Sequence, residues 1–255
     1  MIEFVNSSRV QLIKTNASDI DVARAAWVSN YGEDAREKDA TKIQGLINYL
    51  YNNRHMSPFE HGSFTFFIEC PLFVAREFHR HRTMSYNEVS GRYSELKPRF
   101  YIPPRERPLI QAGKVGAYNF TPGSDEQYAI VRNRIEANSR AAWDYYQSML
   151  DYGIAREVAR DVLPLNLMTS FYATVNPRNL MQFLTLRDED QALYEIRNVA
   201  VQMDAYFEEV MPLTHKAYRT DRDYDPAEKI AGLQRELDRQ KDLRFYESER
   251  YDGLS

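Results

Sequence analysis

Cysteine is almost missing from this chain. Cys70 is the single thiol among 255 residues, so no intrachain disulfide forms, and no CxxC pair or Cys/His set at zinc spacing is present. That usage fits a reducing compartment, and the expected location is cytoplasmic. No apolar run approaches the ~20 residues of a membrane helix, so no membrane partner is expected. Residues 1–14, with Glu3 early and no long apolar stretch, do not read as a signal peptide. Neither sign of charge is in large excess, and the net value of −4 argues against nucleic acid as the main partner. No GxGxxG follows a predicted strand, which speaks against a Rossmann dinucleotide site. Internal repeats, low-complexity tracts and a clear linker are also missing. One domain over residues 1–220 is expected, followed by a charged, helical C-terminal extension over 221–255, where Ile230, Leu233 and Leu237 keep helical spacing.

Aromatic residues, by contrast, are plentiful: 13% of the chain, with 18 tyrosines. Such rings build cores and also stack on flat heterocycles. The periodicities predict an α+β fold, a small, mainly antiparallel sheet with long flanking helices. Strands are expected within 2–13, over 63–70, where Phe64, Phe66 and Ile68 alternate with Thr65, Phe67 and Glu69, and over 99–102 and 167–175. Helices are expected from Ser18-Asp19 to about Gly32, over 40–51, and from Pro71 through Phe78 into His81. A long helix over 124–152 should turn Tyr128, Val131, Ile135, Ala142, Tyr145 and Met149 inward. A helical turn is expected at 157–162. Asn176-Pro177 reads as the cap and first residue of a helix ending at Arg187, with a longer helix over 191–210. Residues 85–94 read as a loop and 103–123 as a surface excursion.

One stretch, residues 80–93, resists any packing explanation. It crowds together Arg80, His81, Arg82, Ser85, Asn87, Glu88, Ser90, Gly91 and Arg92. Guanidinium groups fork onto phosphate or carboxylate oxygens. Ser90-Gly91-Arg92 offers hydroxyl, backbone N–H and guanidinium donors to one anion. Between residues 76 and 99, six basic side chains stand against three acidic ones, a positive basin that favours a small anion over a long polyanion. A surface salt-bridge cluster would have the same composition; the Ser-Gly-Arg turn favours a ligand such as a nucleotide. His55, His61, His79 and His81 share one window, but HExxH and a matching Cys or carboxylate set are absent, so no metal is expected. His79 and His81, two apart on the predicted helix, point in different directions, and His81 is the candidate for the site. A second group lies far along the chain: Arg160, Asn176, Arg178, Gln182 and Arg187. Arg187 at a helix end also reads as a partner of the helix dipole.

Arg80-His81-Arg82, then Ser85, Asn87-Glu88, Ser90 and Arg92, resembles the signature Arg-His-Arg-x-x-Ser-x-Asn-Glu-x-Ser-x-Arg of flavin-dependent thymidylate synthases. His55-x-Ser57-Pro58-x-Glu60-His61, Ser29, Arg160 before Leu163-Pro164, Asn176-x-Arg178 and Leu186-Arg187 follow the family in order and spacing. The resemblance implies methylation of dUMP to dTMP, with methylenetetrahydrofolate as carbon donor and FAD, reduced by NADPH, as hydride source. It implies that Ser90, Gly91 and Arg92 hold the nucleotide phosphate with Arg160, that Glu77, Arg80 and Glu88 lie along the nucleotide, and that Arg187 contacts the uracil and acts catalytically. Ser29, His55, Ser57, Glu60, Arg80, His81, Arg82, Glu88, Asn176, Arg178 and Gln182 would bind FAD. It further implies a homotetramer with FAD and substrate sites shared between subunits, and a flavin site that is not a Rossmann unit.

Cys70 ends an aromatic strand with no histidine beside it in sequence, and reads as a buried apolar residue rather than a nucleophile. Ser90 has no evident base partner either. Chemistry without an enzyme nucleophile is therefore expected. Two other readings stand beside this one: a non-catalytic nucleotide-sensing or RNA-binding module, and a flavin enzyme acting on another pyrimidine.

Overall fold

The computed structural model describes residues 1–37, 43–114 and 117–220. The chain divides into two units, Met1–Ala217 and Tyr218–Ser255, and every candidate site residue falls in the first. The expected extension over 221–255 and the start of the helix predicted over 40–51 lie outside the described residues.

Strands β1 (Glu3–Val5) and β2 (Arg9–Thr15) open the chain. Helix α1 (Asp19–Tyr31) follows, with Ser18 accepting from the Asp21 N–H as its cap. Helix α2 (Ile43–Asn52) and a 3-10 turn, Ser57–Glu60, lead to β3 (Phe64–Pro71) and α3 (Leu72–Phe78). Then come β4 (Ser85–Glu88), β5 (Arg99–Tyr101) and a hairpin of β6 (Ile110–Lys114) and β7 (Ala117–Thr121). Helix α4 (Asp125–Asp151) starts from a capping box between Ser124 and Gln127. After α5 (Arg156–Ala159) and a 3-10 turn, Arg160–Val162, come β8 (Met168–Val175), α6 (Pro177–Arg187), α7 (Tyr194–Val210) and α8 (Pro212–Thr220).

The fold is α+β. Its main sheet has the order β2-β3-β8-β4, and all three pairings are antiparallel. β1 runs parallel to β5, and the β6–β7 hairpin stands apart. One face of the main sheet is the core. Phe64, Phe66, Ile68 and Cys70 of β3 and Phe171, Ala173 and Val175 of β8 are buried on it. Phe78 of α3 packs between Phe171 and Phe183 of α6, and Phe207 of α7 meets Phe64 edge-on. Each such ring is worth roughly 1.5–3 kcal/mol of burial. The alternate row, with Phe67 against Tyr172, faces outward. Among the described residues no helix is long and apolar enough to cross a membrane.

Three expectations need correction. Helix α3 stops at Phe78 instead of running into His81, because the chain must turn there to lay β4 on β8. Residues 85–88 are a strand, not a loop: their exposed–half-buried alternation answers the β8 edge, which four polar residues do not announce. On α4 the buried aromatic is Tyr146, with Tyr145 63% exposed; Ser139, Ala142 and Tyr146 form the true inward row. The surface excursion over 103–123 contains the β6–β7 hairpin, and α8 was not foreseen. Asp19 builds α8 from across the chain, accepting from the backbone N–H groups of Leu213 and Thr214 at 2.9 Å.

Candidate active site

The motif forms two separate nests. The first surrounds the turn that follows α3. His81 N–H donates to the Phe78 carbonyl, and the Tyr86 hydroxyl lies 2.6 Å from that oxygen and 3.1 Å from the His81 carbonyl oxygen. Burial pushes the Tyr86 phenol above its ordinary value, so it stays protonated and able to donate. The His81 ring stands edge-on to Phe183 at 4.8 Å, while the His79 ring meets Tyr86. The two imidazoles therefore have different surroundings, although neither belongs to α3.

Arg187, the last residue of α6, reaches this turn. Its Nε donates to His81 Nε2 at 2.9 Å, its Nη1 pairs with Glu77 Oε2 at 2.9 Å, and its Nη2 lies 3.4 Å from the Glu77 carbonyl. The pair is shielded: side-chain exposure is 18% at Arg187 and 38% at Glu77. Guanidinium is a donor only, so His81 Nε2 must be the acceptor and the ring proton sits on Nδ1. Burial, reinforced by the Arg187 charge, lowers the His81 pKa to about 4, which keeps the ring neutral. The clamp holds Arg187 in one orientation and leaves protons on both terminal nitrogens for a ligand.

The second nest surrounds Ser90-Gly91-Arg92. Ser90 Oγ accepts from the Arg92 N–H at 3.3 Å, and the Ser90 carbonyl accepts from the Tyr93 and Ser94 N–H groups. A Cβ on Gly91 would crowd Leu96 Cδ1 at 3.0 Å and meet Arg160 Cδ at 3.4 Å, so Gly91 lies directly beside the Arg160 side chain. Arg160 lies in the 3-10 turn after α5, and its exposed guanidinium makes no ion pair among the described residues. Arg160, Glu88, Ser90 and Gly91 line one cavity of about 360 Å³, floored by Leu72, Leu167 and Met168. That volume falls in the range of small-molecule sites. Arg92 points to Glu157 of α5 instead, at 2.8 Å, with both side chains more than half exposed.

The positive basin is therefore smaller than the local count implied. Arg92 is paired with Glu157, and Arg99 with Glu3 and Glu69, acids outside the counted window. Arg76, Arg80 and Arg82 are exposed and make no ion pair among the described residues.

A third group lies across α6. Asn176 caps that helix by accepting from the Asn179 N–H at 2.9 Å, and Arg178 pairs with Glu60 of the Ser57–Glu60 turn. Both α1 and α6 pack on that turn. His55 meets Tyr49 edge-on, and Ser29, Ser57 and Gln182 are exposed. Among the described residues no hydrogen bond or ion pair joins the Ser29 or Gln182 side chain to the rest. Among the described residues no three His, Cys, Asp or Glu side chains converge as metal ligands would.

Two side chains of these nests were not legible in advance. Glu157 lies three residues before Arg160, a spacing that puts both on one side of a helical turn. Thr169 of β8 donates from Oγ1 to Glu88 Oε1; its row on the sheet was predictable, its partner was not. Cys70 is fully buried, and burial, with the Glu88 and Glu69 charges, pushes its thiol well above the ordinary range.

The sequence matches the family model described as thymidylate synthase complementing protein over residues 11–213. It is 47% identical over 231 residues to a flavin-dependent thymidylate synthase of Streptomyces coelicolor, covering 86% of this chain and 94% of that protein. It is 42% identical over 217 residues to a protein of the same name from Thermotoga neapolitana, covering 85% and 93%. Among solved structures it resembles the UMP/dUMP methylase PolB from Streptomyces cacaoi bound with 5-Br dUMP. The TM-score is 0.81 at 42% identity, over 86% of this chain and 97% of that one.

Proposed function

The chain belongs to the flavin-dependent thymidylate synthase family, and from that premise we propose that it methylates dUMP to dTMP. Methylenetetrahydrofolate donates the carbon, and FAD reduced by NADPH is the hydride source. The observation that carries this reading is the clamp between Arg187 and His81, two residues 106 positions apart that meet in one half-buried cluster. A guanidinium so held can meet negative charge developing on the uracil oxygens without reorganising first, which is electrostatic catalysis. Ser90, Gly91, Arg92 and Arg160 hold the phosphate, and Glu77, Arg80 and Glu88 lie along the nucleotide.

The residues present fit FAD. Its pyrophosphate calls for cations not already neutralised within the chain, and Arg80 and Arg82 are exposed without an ion pair among the described residues. Ser29, His55, Ser57, Glu60, His81, Glu88, Asn176, Arg178 and Gln182 complete the proposed set. The flavin, when bound, supplies the hydride. His81 contributes Nδ1–H as a donor and keeps Arg187 aligned. The outward-facing Ser29, Arg80, Arg82 and Gln182 support a site completed by neighbouring subunits of a homotetramer, without a Rossmann unit. In this reading residues 1–220 form the catalytic domain, 221–255 an appended segment, and the enzyme works in the cytoplasm.

Cys70 has no part in the chemistry: a buried thiol held protonated is no nucleophile. Cys70→Ala should keep turnover within about twofold while costing about 1 kcal/mol of stability, read by tritium release and thermal melting. The test of the function itself is tritium release from C5-labelled dUMP by purified, flavin-loaded protein. Release should require NADPH and methylenetetrahydrofolate together. A protein that takes up no flavin, or releases no tritium when fully loaded, overturns the proposal. UMP is a second candidate substrate, because PolB is named a UMP/dUMP methylase and was also solved with 5-Br UMP. Competition between the two nucleotides decides between them.

A further inference from the structure

Glu88 is placed along the nucleotide, yet a carboxylate on a short edge strand has no intrinsic reason to face one way. β4 has only four residues and pairs on one side only. Its neighbour β8 is different: it is a central strand, bonded by β3 on one side and by β4 on the other. Register puts Glu88 opposite Phe171, so Thr169, two residues away on the same row, is its diagonal neighbour. Cys70 stands opposite Thr169 on β3 and completes that row. Thr169 is 5% exposed, and its Oγ1 donates to Glu88 Oε1 at 2.5 Å. Glu88 Oε2 makes no hydrogen bond among the described residues, while both Glu88 and Thr169 line the cavity that also holds Ser90, Gly91 and Arg160.

We propose that Thr169 is a positioning residue for nucleotide binding: its hydroxyl holds one carboxylate oxygen of Glu88 so that the other is presented to the cavity as a hydrogen-bond acceptor. The acceptor stands two residues from the donors assigned to the phosphate. A carboxylate repels phosphate, so it meets a hydroxyl or N–H of the nucleotide beyond its phosphate group. The pair thus sets which end of the nucleotide points toward Arg160. Without the Thr169 hydroxyl, Glu88 rotates among several rotamers, and each binding event must select the right one.

This inference rests on the nucleotide reading above. The experiment is calorimetric titration of flavin-loaded wild type, Thr169→Val, Thr169→Ser, Glu88→Gln and the Val/Gln double variant with dUMP, with tritium-release kinetics on each. Thr169→Val replaces hydroxyl by methyl and should weaken dUMP about tenfold, raising KM while kcat stays within about twofold. Thr169→Ser should recover most of the affinity. In the Glu88→Gln background, Thr169→Val should add less than about twofold, because its target is already altered. Unchanged affinity in Thr169→Val, equal loss in Thr169→Ser, or effects that simply multiply with Glu88→Gln would each overturn the role of Thr169 alone. Should Thr169→Val fail to load flavin, Thr169→Ala carries the same expectations. A loaded wild type that does not bind dUMP overturns the nucleotide reading, and this inference with it.

Discussion

The two ends of the 80–93 motif solve opposite problems. At the His81 end, the Arg187 guanidinium is bonded to both the Glu77 carboxylate and the His81 imidazole, and Arg187 is 18% exposed. At the Arg92 end, the guanidinium is 56% exposed and leans on an equally open Glu157, while Arg160 waits without an ion pair among the described residues. Charge that must act on a transition state gains from being fixed in advance, since reorganisation during the reaction raises the barrier. Charge that must capture a phosphate gains from staying accessible and easily exchanged. In the proposed function the same residue type would serve catalysis at one end and capture at the other, and the two ends differ in burial and partners.

Arg187→Ala should give the largest effect, a loss of about a hundredfold or more in kcat, with flavin content checked by absorbance. Arg187→Lys should not restore the rate, because an ammonium cannot bridge His81 and Glu77 with one planar fork. Arg92→Ala should act mainly on binding, raising the KM for dUMP about tenfold or more with a much smaller change in kcat. A kcat collapse in Arg92→Ala with KM intact would erase the division of labour between the ends.

The third way to sharpen the comparison is pH. His81 in the folded protein titrates at about 4, below its ordinary 6.5. Between those values the unfolded chain binds the extra proton, so the neutral ring contributes stability that is full above pH 6.5 and is lost as pH falls toward 4. Protonated His81 can no longer accept from Arg187, but the folded ring stays neutral through most of that window, so activity should fall only near pH 4, where the clamp opens. Melting temperature followed across it should drop, and His81→Asn should flatten that slope. Glu157→Gln should give the smallest effect, a change in dUMP KM within about threefold, because exposed ion pairs contribute about 0–1 kcal/mol.

How much of this was legible depended on distance along the chain. Ser18, Ser124 and Asn176 announce their helices because a cap acts within three residues. The Phe64, Phe66 and Ile68 row announces its strand for the same reason: a two-residue period is local. β4 was missed because its strand character comes from β8, some eighty residues away, and its own residues are polar. Tyr146 was missed because both tyrosines at 145–146 lie near the helix seam, and only the packing around Phe100 and Trp143 selects one. Within the site, residue types and spacing brought out the candidates, but not their partners. Nothing in the motif says that Arg92 meets Glu157, that Arg187 rests on His81 and Glu77, or that Thr169 holds Glu88. Those pairings follow from how β8 and α6 are threaded beside the motif.

The most direct test of the central claim is a crystal structure of the enzyme with FAD and dUMP. The account predicts one nucleotide whose phosphate lies within hydrogen-bonding distance of Arg92 and Arg160, with an Arg187 guanidinium on its uracil oxygens. Arg92 and Arg187 facing bulk water, or holding two unrelated ligands, would contradict it.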